Sequence, residues 1–388
     1  MNKSPRRILH IFSRMDRGGA ETRIMDVYRN IDRNNIQFDF LNLESGIHHY
    51  DQEIRNLGGR KFLVTHPKKG FLSHFLDMYK IFKNEGPFQA VHAHTSHHEG
   101  VVALAAKLAG VKYIICHART TSTNNINSLP KKLAIMIGRK LIIANATKLL
   151  AISYKAGEYL FGKKSMNNGI VDVIPNAVDL APYIDIEKID SSSIKKELGI
   201  PNCQILIGHV GRFNKMKNHE FLLELLNHIR GKDIDARLVL VGDGELRKGI
   251  ENQVIGLGLS QYVHFLGIRN DIPKLMRIFD VFVMPSKYEG LGGAAIEAQA
   301  AGTPSVLSNT LPQEVDMDLG IIQFLSLEVP KEKWGELVIN QSNLIRPELK
   351  SILKAFNEKG FTIEAEIESL LKCYGMYELS VSYKSEGS

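Results

Sequence analysis

Short apolar runs ending at glycine or proline recur along this chain, with stretches of helical spacing between them. That alternation constrains the fold more than any other feature. Residues 281–307 show one complete instance. Val281-Phe282-Val283-Met284 before Pro285 reads as a buried strand, and Ser305-Val306-Leu307 as the start of the next. Between them, Gly292 to Ala301 reads as a short helix entered through glycines and left at Gly302. Strand, turn, helix, strand is one βαβ unit. Repeated, it predicts an α/β fold with doubly wound parallel sheets, whose ligands bind at the carboxyl ends of the strands.

The pattern fills two halves. In the first, strands are expected over 8–12, 38–43, 61–64, 90–93, 112–116, 147–152 and 171–174, with helices between them. Asp179–Asp190, with Pro182, reads as a linker. In the second half, strands are expected over 204–210, 236–241, 262–266 and 281–285. A length of 388 residues suits two domains. The expected division is 1–178, 179–361 and a helical tail over 362–388, in which Thr362–Tyr374 would cross back to the first domain.

Composition excludes several classes. Net charge is +7, but Lys and Arg are spread along the chain without a long run, so no nucleic-acid partner is expected. Cys116, Cys203 and Cys373 are far apart and form no CxxC. This argues against a disulfide framework and a structural zinc site, and for a reducing compartment. Ile8–Phe12 is too short for a secretory signal, and the apolar regions near 101–116 and 133–146 are interrupted by Lys or Arg.

Polar residues collect where strands are expected to end. Gly18-Gly19 lies between a strand and a helix, where missing side chains let a phosphate approach backbone amides, or simply allow a tight turn. His92, His94, His97 and His98 fall within seven residues. They invite a metal reading, but no cysteine lies close in sequence, and a His touching substrate is favoured. His117 and Arg119 end the next strand. In the second half, Arg212 and Lys217 follow Val210-Gly211, two cations suited to a diphosphate or to plain solvent. Glu289 precedes the helix start, and Glu297 sits one turn into it among Gly293, Ala294, Ala300 and Ala301. The small neighbours leave room for a hydroxylated ligand, and a solvated helix face is the alternative.

Taken in order, Asp16-Arg17-Gly18-Gly19-Ala20-Glu21, His92-Ala93-His94, Pro175-Asn176-Ala177-Val178-Asp179, Gly211-Arg212 with Lys217, Gly242-Asp243-Gly244 and Glu289-x7-Glu297 form a series. This series resembles that of the retaining nucleotide-sugar glycosyltransferases of the fourth glycosyltransferase family. It is most similar to those of bacterial capsule and exopolysaccharide synthesis. The resemblance covers roughly residues 6–310. It implies the GT-B fold: two Rossmann-like β/α/β domains facing each other across a cleft, with the acceptor on the first and the nucleotide sugar on the second.

The resemblance also implies roles. Glu289 would hold the donor sugar's hydroxyls and Glu297 the ribose. Arg212 and Lys217 would neutralise the diphosphate in place of a metal, so no metal or cofactor is expected. Gly18 and Gly19, with Gly292, Gly293 and Ala294 at the helix start, would offer backbone N–H groups. Arg269 would edge the base pocket. His94 would lie by the transferred sugar and the acceptor, with His117 and Arg119 on the acceptor side. The implied donor is UDP-linked, and the implied acceptor is a saccharide or lipid-linked saccharide. Where the family often has Glu-Gly-Phe-Gly or Glu-Gly-Leu-Pro, this chain has small residues through Ala295, which leaves the donor sugar open. The DxD at Asp316-Met317-Asp318 is read as a surface turn. A cytoplasmic place at the inner face of the plasma membrane is implied, and Lys131, Lys132, Arg139 and Lys140 among apolar residues suit anionic lipid. An epimerase of the same fold, and a non-catalytic nucleotide-binding subunit, are the other classes.

Overall fold

A computed structural model describes residues 4–121, 129–185 and 190–380. The middle of the expected linker and the last eight residues of the expected tail lie outside the described residues. The chain divides into two compact units. One comprises Met1–Ala177 with Gly360–Ser388, and the other Val178–Lys359.

The first unit holds seven strands: β1 (Arg6–Phe12), β2 (Ile36–Asn42), β3 (Lys61–Leu63), β4 (Phe88–Ala93), β5 (Tyr113–Ala118), β6 (Lys148–Ala151) and β7 (Val171–Val173). All pair in parallel, in the order β3-β2-β1-β4-β5-β6-β7. The second unit holds β8 (Ile205–Val210), β9 (Ala236–Val241), β10 (Val263–Gly267), β11 (Val281–Met284), β12 (Ser305–Ser308) and β13 (Ile322–Leu325). These too are parallel, in the order β10-β9-β8-β11-β12-β13. Central strands covered on both faces read as continuous apolar runs, which is why β1, β8, β9 and β11 stand out in the sequence.

The helices follow the expected spacing. Gly19–Asn30 buries Ile24, Val27 and Tyr28 against β1 and β2 in one continuous core. His219–Arg230 buries Phe221, Leu222, Leu225, Leu226 and Ile229 in the core of the second unit. Two later pieces complete the cores. The helix Lys331–Ser342 seats Trp334 beside Phe221, with ring centroids 4.9 Å apart. The helix Ile363–Cys373 places Ile363, Ile367, Leu370 and Leu371 in the first unit's core.

Each sheet reverses its strand order once, between β1 and β4 and between β8 and β11. Beyond the carboxyl ends of such strand pairs the flanking connections run in opposite directions and leave a crevice. The polar clusters described below sit at these two points.

Candidate active site

In the second unit the loops after β8 and β11 meet. Lys217 Nζ donates to Glu289 Oε1 at 2.8 Å, so one ion pair spans the point of reversal. Their side chains are only 13% and 9% exposed. The loop carrying Lys217 is held at both ends. Asn214 Oδ1 accepts the Lys217 N–H at 3.1 Å, and Asn218, in the left-handed region at φ 59°, donates to Pro285 O at 3.1 Å. The loop after β9 presses on the same place. Gly242 has φ 132°, and a Cβ there would come within 2.2 Å of Gly211 O, so only glycine fits.

The helix Gly293–Ala300 starts beside Glu289. Gly292 at φ 98° turns the chain into it, and Gly292 O accepts from Ala295 at 2.9 Å. No side chain caps this start, so first-turn N–H groups of Gly293 and Ala294 lack helical acceptors. Glu297 lies one turn on, half-buried. The other expected cations stand apart. Arg212 is 63% exposed with Glu245 3.8 Å away, and Arg269 makes a two-point pair with Asp271 at 2.8 and 2.7 Å. The structure therefore joins Lys217 to Glu289 and holds Arg269 on Asp271. The DxD is a capped turn: Asp316 accepts the Asp318 N–H, and Lys359 pairs with Asp318 at 2.5 Å.

In the first unit, β1, β4 and β5 bring imidazoles together. His94 extends β4 by donating its N–H to Ile11 O at 3.0 Å, and its ring stacks on Phe12 at 4.3 Å. His94 Nε2 lies 3.2 Å from His10 Nδ1, and Arg119 Nε donates to His94 Nδ1 at 3.0 Å. Arg119 also donates from Nη1 to Asn176 Oδ1 at 2.6 Å. Behind these, His92 contacts Tyr374 Oη at 2.7 Å and His117 Nδ1 at 3.1 Å. His117 is 1% exposed, so this structure places it in the core on His92 rather than at an open surface. Burial, first of all, drives His10, His92, His94 and His117 well below the usual imidazole range, and the Arg119 charge adds to it. A cavity of about 250 Å³ opens beside the cluster, lined by Ser13, His94, Thr95, Ser96, Arg119 and Thr120 among others.

Ring nitrogens of His10, His92 and His94 lie within 4.8 Å of one another. Three imidazoles can hold a transition metal only through free lone pairs. His94 spends its Nδ1 lone pair on Arg119, so the neutral ring carries its proton on Nε2 and offers none. The donor set does not suit a metal.

At Gly18, a Cβ would come within 2.1 Å of Glu21 Oε2, so the helix start is covered by the chain's own carboxylate, which burial raises above its usual range. Nothing lies within 4 Å of a Cβ at Gly19. The sequence reading missed His10 and Tyr374. A histidine in the middle of an apolar strand was the available signal for His10, because a buried ring must find partners.

Two Rossmann-like units, each with polar residues at its point of strand reversal, define the chain as a GT-B protein. Residues 17–182 match the family model described as Glycosyltransferase Family 4, and residues 190–315 the model described as Glycosyl transferases group 1. EpsF of Bacillus subtilis (strain 168), itself named only provisionally as a glycosyltransferase, is 40% identical over 97% of this chain and 98% of its own length. The UDP-Gal:alpha-D-GlcNAc-diphosphoundecaprenol alpha-1,3-galactosyltransferase of Escherichia coli is 31% identical over 60% of this chain and 61% of its own. The structure of Anabaena Alr3699/HepE in complex with UDP and glucose superposes with a TM-score of 0.74 at 18% identity, covering 95% of this chain and 99% of that one. The chain belongs to the fourth glycosyltransferase family, among relatives of exopolysaccharide and capsule synthesis.

Proposed function

We propose that this chain is a retaining, metal-independent hexosyltransferase. It moves a sugar from a UDP-sugar to a saccharide or lipid-linked saccharide in surface polysaccharide assembly. The observation that carries the reading is the Lys217–Glu289 pair beside the uncapped start of Gly293–Ala300, at the reversal point of the second sheet. Cleaving the sugar–phosphate bond develops negative charge on the leaving diphosphate. Lys217, Arg212 and the N–H groups at Gly293 and Ala294 supply fixed positive ends for it. Glu289 accepts from sugar hydroxyls and Glu297 from the ribose. The cation at Lys217 serves where other enzymes use a metal. UDP and a diphosphate-linked lipid acceptor are both in the name of the E. coli relative, and UDP is in the Anabaena complex.

Incubation with a panel of nucleotide sugars, followed by release of free nucleotide, tests the reading. Glu297→Ala and Arg212→Ala should each abolish release, and normal turnover in either would defeat the site assignment. Undiminished turnover in EDTA and a product of unchanged anomeric configuration are the expected signs of the metal-free, retaining route.

The proposed place is the cytoplasmic face of the plasma membrane. The helix Leu129–Asn145 exposes Leu133, Met136 and Ile137 beside the exposed Lys131, Lys132 and Lys140. Arg139 is turned away from this face and donates to Leu160 O and Tyr159 O at 3.0 and 2.8 Å. Sedimentation with anionic vesicles should recover more protein than with neutral ones, and equal recovery would count against the contact.

A further inference from the structure

We propose that Arg119 is a positioning residue that locks His94 as a neutral imidazole with its proton on Nε2, making His94 a hydrogen-bond donor in the transfer reaction and barring it from acting as the general base. The part played in the reaction rests on the transferase reading above; the lock itself does not.

A guanidinium has donors and no acceptor. With Arg119 Nε 3.0 Å from His94 Nδ1, that nitrogen must be the acceptor and carries no hydrogen. A neutral ring keeps one proton, which is then on Nε2. Nε2 lies 3.2 Å from His10 Nδ1, so His94 donates and His10 accepts. His10 in turn carries its proton on Nε2, a buried atom with no protein partner. The direction of the whole chain, Arg119 to His94 to His10, follows from one residue that cannot accept.

Four charged or titratable neighbours oppose a second proton on His94. His92 lies on β4 just before it, His10 on β1, His117 on β5 and Arg119 just past β5, and all four disfavour the imidazolium. The Phe12 ring covers one face of it. Burial, first of all, lowers Arg119 from its ordinary range, and Glu366, Tyr374, Glu21 and Glu99 oppose that shift; a guanidinium nevertheless keeps its proton inside a protein. The one free lone pair on His94 thus points at a permanent positive charge, and a proton arriving there would have to displace it.

This decides where a proton can go. In the transfer, a bond forms between the acceptor oxygen and the anomeric carbon, and the bond from that carbon to the diphosphate oxygen breaks. The acceptor hydroxyl proton must leave. His94 has no site for it; in the retaining route proposed above, the departing diphosphate gains negative charge as its bond breaks and is the group that can receive it. What His94 can supply is its Nε2–H, given to His10 in this structure. A sugar hydroxyl or phosphate oxygen entering the cavity of about 250 Å³ that His94 lines can receive it instead.

The lock is read without turnover, by two-bond proton–nitrogen correlation spectra of the full chain labelled with ¹⁵N-histidine. His94, assigned by its absence from His94→Gln, should show an unprotonated Nδ1 and a protonated Nε2 near neutral pH. The opposite tautomer, or two protonated nitrogens, overturns the proposal. Arg119→Met should release a mixture of tautomers and Arg119→Lys should restore the single form. An unchanged spectrum in Arg119→Met means that something else holds the ring, and overturns it. If Arg119→Met fails to fold, the wild-type spectrum still decides.

Kinetics give the second arm. Gln presents an N–H where His94 presents Nε2–H, so His94→Gln should keep turnover within about tenfold. Loss of a general base costs about 10²–10⁴-fold. A fall of that size in a folded His94→Gln overturns the donor role. Failure of the wild type to release nucleotide from any nucleotide sugar would overturn the transferase reading, while the nitrogen spectra would still judge the lock.

Discussion

Lys217 and Glu289 are separated by 72 positions and joined by one 2.8 Å contact. A pair this far from solvent has lost hydration on both ions, so removing one partner costs more than the pair contributes. Lys217→Met leaves a buried carboxylate without its ammonium and should destabilise the second unit by about 3 kcal/mol. Lys217→Met with Glu289→Leu removes both charges and should recover at least about 1 kcal/mol of that, the non-additivity expected of direct partners. Urea unfolding followed by Trp334 fluorescence measures both, because the single tryptophan is buried in the second unit. Additive losses would show that the contact contributes nothing to stability. At this scale the sequence pointed to candidate residues and not to how they pair. Glu297 stood out because small residues surround it, and Glu289 because it precedes a helix start entered through glycines. That Lys217 faces Glu289, while Arg269 is held by Asp271, depends on loop geometry that no local pattern encodes. The burial of His117 on His92 was not legible for a related reason: a place at a strand end does not say what packs over it.

The elements were far more legible, since a two-residue or 3.6-residue period survives without knowledge of neighbours. The early strands and their helices were read within a few residues. Pieces with weak periods were not. β13 is four residues long and only partly buried. The helix Ile363–Cys373 is the element with the most at stake. It caps its own start through Thr362, whose Oγ1 accepts from Ala365 N at 3.3 Å. Its Glu366 accepts the Ala177 N–H at 2.8 Å, and Gln89 Nε2 donates to Tyr374 O at 2.8 Å just past its end. Leu370 and Ile367 are each 1% exposed in the first unit's core. Truncating either to Ala should cost about 2–5 kcal/mol, as for other buried aliphatics that leave a cavity. Thermal unfolding followed by far-UV circular dichroism should show the first unit melting earlier in Leu370→Ala. A loss below about 1 kcal/mol would mean that the helix is not seated in that core.

At the scale of the whole molecule, the buried imidazoles are unevenly shared, and acid should separate the two units. His10, His92, His94 and His117 in the first unit are all driven well below the ordinary imidazole range by burial. In the second unit, burial lowers His209 well below that range and His219 to about 4. A depressed group stays neutral in the fold while the unfolded chain takes up its proton near pH 6.5. The unfolded state then binds more protons, so stability falls as pH drops below 6.5. Burial also lowers His97 and His98 of the first unit to about 4, so from pH 6.5 to 5.5, at roughly 1 kcal/mol for each such imidazole, about 6 is lost from the first unit against about 2 from the second. Glu366 runs the other way. Burial raises it to about 7, so its contribution is full at low pH and is lost as pH rises through 7. Glu21 and Glu99, also raised by burial, act in the same direction; three carboxyls offset only part of the loss from six imidazoles, and the first unit should remain the more acid-sensitive. Calorimetric scans at pH 7.0, 6.0 and 5.5, with Trp334 fluorescence marking the second unit's transition, measure the difference. The first unit's transition should move to lower temperature faster than the transition reported by Trp334. His92→Phe, which removes one imidazole but keeps a ring beside His10 and Tyr374, should flatten the first unit's pH dependence by about one proton. Parallel shifts of both transitions, or an unchanged slope in His92→Phe, would show that the histidine cluster does not set the acid limit of the fold.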